Sequence, residues 1–154
     1  MLDVGCGVGY GSRHLSERAK KVVALDADIT AIHYAQRRYA QGNHDYLVAD
    51  ADRLPFLKNS FDVICAFEII EHTGRPELFI KEMTRVLKRD GALFISTPSP
   101  THTSSSPENP HHHQEWSPSD FRTLLEKYFS EVEMWWQTRK QTKMHRWLQR
   151  LDVF

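Results

Sequence analysis

Four of the seven glycines in this 154-residue chain stand at alternate positions, Gly5, Gly7, Gly9 and Gly11, directly behind Leu2-Asp3-Val4. A short buried strand that runs into such spacing must end in a sharp turn. Only glycine takes left-handed backbone angles freely and lets another group approach the main chain closely. Short apolar runs then alternate with helical periodicity. Strands read at Leu2–Val4, Lys21–Leu25, Tyr46–Ala49, Phe61–Phe67, Ala92–Ser96 and Val132–Trp136. Helices read over Tyr10–Lys20, Ile29–Ala40, from Pro76 to just before Asp90-Gly91, and from Ser117-Pro118 onward. The alternation predicts an α/β fold with a Rossmann-like, doubly wound, mostly parallel sheet.

The length suits one domain, taken as residues 1–137, with 138–154 as a basic amphipathic C-terminal helix. Twenty basic and twenty acidic side chains balance, which argues against a protein built mainly to coat nucleic acid. Two cysteines and no apolar run long enough to span a bilayer predict a reducing, cytoplasmic setting. Five of the seven prolines fall between Pro98 and Pro118, so Ser99–Trp116 reads as a long polar connection of the kind that carries function.

In parallel sheets, ligands bind beyond the carboxyl ends of the strands. The glycine register is not G-x-G-x-x-G, and no Walker-type lysine follows it. Dinucleotide and nucleotide-phosphate readings are therefore disfavoured. Asp26 ends the second strand, where a carboxylate accepts from both hydroxyls of a ribose. Asp50 ends the third, where one accepts from an exocyclic amine. The set suits an adenosine that carries no phosphate. Asp28 and Asp52 read as solvated carboxylates.

Leu2-Asp3-Val4-Gly5-Cys6-Gly7-Val8-Gly9 resembles the first motif of class I S-adenosylmethionine-dependent methyltransferases. Asp50-Ala51-Asp52-Arg53-Leu54-Pro55-Phe56, followed by Ser60-Phe61-Asp62, is similar to that family's third- and fourth-strand signature. Arg85 to Gly91 resembles the lead into the fifth strand, with Asp90 where the family usually has glycine. The resemblance spans roughly residues 1–136 and implies S-adenosylmethionine as cofactor. By position, Gly5, Gly7 and Gly9 wrap its methionine part, Asp3 orients the loop, Asp26 holds the ribose, and Asp50 with the Ala51 backbone holds the adenine. Against the family pattern the chain lacks the N-terminal helix and the seventh strand.

After the fourth strand comes Glu68-Ile69-Ile70-Glu71-His72. A helical turn starting at Glu68 places Glu71 on the same side, with His72 beside it. The spacing resembles that of metal-dependent small-RNA 3′-terminal 2′-O-methyltransferases and of some ubiquinone-pathway O-methyltransferases. It implies a site for Mg²⁺ or Mn²⁺ on Glu68, Glu71, His72 and His112, the last from the long connection. His111 and His113 are open alternatives for that ligand. Without a metal, His72 is the candidate general base.

Downstream, Arg139, Lys143, Arg146 and Arg150 share one helical face, and Met144, Trp147, Leu148 and Leu151 another. The bland expectation is packing on the body with solvated charges. The alternatives are contact with RNA phosphates, an anionic membrane surface or a protein partner. Trp135 and Trp136 read as strand packing, one of them inward. The functional expectation is methylation of a hydroxyl on a small-molecule acceptor or glycan precursor. Its rivals are methylation of an RNA 3′-terminal ribose, a non-catalytic S-adenosylmethionine-binding partner domain, and an NAD-dependent dehydrogenase.

Overall fold

Burial decides which apolar runs become strands. A computed structural model describes residues 1–39 and 42–136. Its strands are β1 (Leu2–Val4), β2 (Val22–Asp26), β3 (His44–Val48), β4 (Phe61–Phe67) and β5 (Leu87–Ser96). They form one sheet in the order β3-β2-β1-β4-β5, with every neighbouring pair parallel. Four helices flank it: α1 (Tyr10–Leu15), α2 (Ile29–Tyr39), α3 (Pro76–Val86) and α4 (Pro118–Glu126). This is the expected Rossmann-like, doubly wound plan.

Side-chain alternation sends residues to two cores. Leu2, Val4, Leu25, Ile64 and Ala66 pack with Phe79, Ile80 and Met83 of α3 and with Phe121, Leu124 and Leu125 of α4. Ala24 and Tyr46 face the other way, against Ile32 and Ala35 of α2. Among the described residues, Phe67 and Phe94 of β4 and β5 are exposed.

Strands β2 and β3 shift by one or two residues from the sequence reading, and three boundaries differ by more. α1 stops at Leu15 rather than Lys20, because the Asn43 amide donates to the carbonyls of Ser16, Ala19 and Lys20 and draws them away from a helix. Leu87 belongs to β5 rather than α3. It pairs with Phe61, and a register shift separates it from the Val63–Ala92 pair. Val132–Trp136 forms no ladder among the described residues. Val132 and Met134 pack on the core, whereas Trp135 and Trp136 are both exposed, so neither fills the inward position expected. The helix expected over 138–154 lies outside the described residues. Among those described, no helix is long and apolar enough to cross a membrane.

Candidate active site

β1 delivers the chain to Gly5, Gly7 and Gly9, all with positive φ. Gly5 and Cys6 donate to the Leu25 carbonyl at 2.9 and 3.0 Å, which ties the loop to the end of β2. The Gly7 N–H donates to Asp26 Oδ2 at 2.8 Å, and Asp28 N–H takes Oδ1 at 2.9 Å. Asp26 therefore braces the glycine loop as well as lining the cavity beside it. Asp28 caps α2 by accepting from the Thr30 and Ala31 N–H groups.

The three glycines do different things. A Cβ on Gly5 would fall 2.9 Å from Ile69, at the cavity wall. One on Gly7 would meet nothing, so its backbone faces open space. One on Gly9 would fall 2.7 Å from Ala35 and 2.8 Å from Tyr46, inside the second core. Gly9 thus lets α1 close on the sheet, and it lies apart from the cavity lining. Asp3 is also away from the lining. It is buried and accepts from the Ser12 hydroxyl at 2.6 Å, and burial pushes its carboxyl up. Burial likewise raises the Cys6 thiol to about 12 and the Cys65 thiol to about 11, which leaves both protonated and unreactive at neutral pH.

The cavity is ≈ 300 Å³ and lies beyond the carboxyl ends of β1 to β4. Gly5, Asp26, Asp50 and Ala51 line it, as the sequence led us to expect, and so does His72. Asp52, Ile69, Thr73 and Phe79 line it without having been anticipated as binders. The signal for Asp52 was its spacing from Asp50: its N–H donates to Asp50 Oδ1 at 2.9 Å, and its own carboxylate accepts from Thr73 Oγ1 at 3.0 Å across the rim.

The Leu54-Pro55-Phe56 segment is held by a clamp from α3. Arg85 donates to the carbonyls of Phe56 (2.7 Å) and Leu54 (2.9 Å), while Glu82 accepts from the Leu54 N–H (2.8 Å) and pairs with Arg85. The Arg85 guanidinium holds the Glu82 carboxyl below its ordinary range. The two downstream motifs noticed separately in the sequence are thus one structure, and it supports the Asp50–Asp52 turn.

At the end of β4 the expected metal set divides. Glu68 has φ +52°, so no helical turn starts there, and the 3₁₀ turn covers only Ile70–His72. The Ser96 hydroxyl donates to Glu68 Oε1 at 2.6 Å, so this carboxylate points at β5. Glu71, His72 and His112 do come together, with one candidate ligand atom from each lying within 4.8 Å of the others. Glu71 is buried, and burial pushes its carboxyl up against the opposing hydrogen bonding of its own main chain and of Thr97. The rings of His72 and His112 meet edge to face, with centroids 4.8 Å apart. A buried carboxylate gathered with two imidazoles fits a divalent cation. Glu68 is corrected out of the set because the left-handed kink turns it away. His111 and His113 do not join the cluster. They hold the connection down through their main chains, His113 N–H to the Glu71 carbonyl (2.7 Å) and the His111 carbonyl to His72 Nδ1 (2.9 Å).

The methyltransferase domain family matches residues 2–95. A probable S-adenosylmethionine-dependent methyltransferase of Mycobacterium tuberculosis is 34% identical over 128 residues, which cover 81% of this chain and 46% of that protein. A ubiquinone biosynthesis O-methyltransferase of Pelagibacter ubique is 39% identical over 100 residues, covering 63% of this chain and 41% of that protein. The chain spans about half the length of the curated relatives it matches. A solved S-adenosylmethionine-dependent methyltransferase of Aquifex aeolicus shares the fold, with a TM-score of 0.68 and 24% identity over 82% of this chain and 69% of that one.

Proposed function

The chain belongs to the methyltransferase domain family of class I S-adenosylmethionine-dependent methyltransferases, and on that premise we propose that it methylates a hydroxyl oxygen on a small-molecule or glycan-precursor acceptor. When bound, S-adenosylmethionine supplies an electrophilic methyl on a sulfonium, and its sulfur departs as a neutral thioether. One observation carries the reading. Gly5, Asp26, Asp50 and Ala51 share a single cavity with His72, so the groups suited to an adenosine and a proton acceptor open on the same space. Asp26 and Asp50 each keep carboxylate lone pairs beyond those used by the main chain. The open side of Gly7 leaves its backbone free for close approach.

Without a cation, His72 supplies the base. A carbonyl only accepts, so the His72 Nδ1 that meets the His111 carbonyl carries the ring proton, and Nε2 keeps its lone pair. That lone pair takes the hydroxyl proton as the acceptor oxygen bonds to the methyl carbon. Positioning of the two reactants provides much of the acceleration. Were a divalent cation such as Mg²⁺ or Mn²⁺ held by Glu71, His72 and His112, the His72 lone pair would go to the ion instead, and the ion would supply Lewis acidity that eases loss of the hydroxyl proton. The ubiquinone-pathway relative is an O-methyltransferase by name, which supports oxygen as the acceptor atom.

The test pairs calorimetric titration of S-adenosylhomocysteine and NAD with mass spectrometry of catechol and sugar-diol acceptors. Binding of the first ligand alone, with a mass gain of one methyl on an acceptor, is expected. Binding without transfer across the panel would favour the partner-domain reading. Turnover unchanged by EDTA would remove the cation and leave His72 as the base.

A further inference from the structure

We propose that Glu115 is the positioning residue of the Glu71–His72–His112 centre, and that the Asn109 amide caps the His112 lone pair which a cation would take. The proposal rests on the cation reading above and assigns two residues that it leaves out.

A chain of hydrogen bonds sets the protons. Asn109 Oδ1 accepts from the His111 N–H at 3.0 Å, so the atom Asn109 turns to His112 is its Nδ2. That amide nitrogen only donates, and it lies 3.0 Å from His112 Nε2. Nε2 is therefore the unprotonated nitrogen. The ring proton sits on Nδ1 and donates to Glu115 Oε1 at 2.5 Å. His72 has the same tautomer, enforced by the His111 carbonyl. Metal-binding histidines almost always donate their second N–H to a carboxylate or a carbonyl, and this pair has one of each. Glu115 is well placed to hold that orientation. Its N–H and carbonyl form a two-bond bridge with Ser104, both at 2.9 Å. Its side chain is only 17% exposed. The third donor is the carboxylate of Glu71, which is buried. With Glu68 bound to Ser96, the donor set is two imidazoles and one carboxylate, which favours Zn²⁺, Co²⁺ or Mn²⁺ over Mg²⁺.

The experiment titrates Co²⁺ into the full chain and reads its visible d–d absorption, with Mg²⁺ as competitor and no methyl acceptor present. The wild type is expected to bind one Co²⁺ that excess Mg²⁺ does not displace. Glu115→Ala should weaken binding about 10–100-fold and change the band, since a freed imidazole presents either nitrogen. Glu115→Gln, which keeps an accepting oxygen, should recover part of the affinity. A merely structural role would lower the melting temperature and leave the band of the bound ion unchanged. Asn109→Ala should tighten binding several-fold. Equal affinity in wild type and Glu115→Ala would overturn the proposal while sparing the cation reading. Absence of Co²⁺ binding in the wild type would overturn both. Were Glu115→Ala not to fold, Asn109→Ala decides: tightening supports the proposal, and equal or weaker binding overturns it.

Discussion

The glycine loop after β1 and the His–Glu cluster after β4 open on the same edge of the sheet, yet they are held differently. The loop is a backbone object: positive φ at three glycines, main-chain bonds to Leu25, and one carboxylate brace from Asp26. The cluster is a side-chain object. Glu71 and His72 of the turn after β4 meet His112 of the long connection, and ring hydrogen bonds to that connection hold them. Backbone shape tolerates little substitution because a Cβ cannot be folded away. Side-chain geometry can be retuned one atom at a time.

The strongest challenge to this contrast is a pair of glycine variants. Gly9→Ala forces a methyl against Ala35 and Tyr46 at a positive φ, and should destabilise the fold by about 3 kcal/mol or more in urea denaturation. Gly7→Ala, also at a positive φ but with open space, should cost about 1 kcal/mol. Similar losses in the two would mean that strain, not packing, governs the loop.

Next in size is the clamp behind Asp50. Arg85→Ala strands the Leu54 and Phe56 carbonyls and leaves Glu82 unpaired, for a loss of about 2 kcal/mol. Because Arg85 lowers the Glu82 carboxyl, this stabilisation is present above the unfolded value of 4.5 and fades as pH falls through the lower folded value. An acid titration of Glu82→Gln should lack that part of the decline.

Asp26→Asn tests whether the brace is electrostatic. One of its two oxygens becomes an amide that cannot accept, so either Gly7 or Asp28 loses its partner. Affinity for S-adenosylhomocysteine should fall at least about tenfold by calorimetry, with a smaller change in melting temperature. The mildest effect has the opposite sign. Glu71→Gln removes a buried charge whose burial already pushes its carboxyl up, so in chelator the protein should gain roughly 1 kcal/mol while losing Co²⁺ binding. A loss of stability there would show that the carboxylate is structural.

Strand ends and their carboxylates were legible because each apolar run stops on one residue of opposite character, as at Leu25-Asp26 and Ala49-Asp50. The helix-to-strand switch at Leu87 was not, since an apolar residue satisfies either periodicity until its partner, Phe61, is known. The Glu68–Glu71 pairing failed for a conformational reason. The spacing argument assumes helical angles, and a left-handed φ at a glutamate leaves no trace in composition. Glu115 was readable only as a neighbour of Trp116, because its task is set by a bridge to Ser104 and a ring in the same loop.

β1 is the shortest strand of the sheet and sits at its centre. Leu2 takes its partners from Val23 on one side and Ile64 on the other, both far along the chain. Loop closure must precede the bonds that reward it, which makes such central parallel pairing slow. The cavity's glycine wall hangs from this strand. The ligand-binding edge therefore exists only when both long-range pairings of β1 are in place, and a ligand that recognises that edge reports on those pairings rather than on collapse.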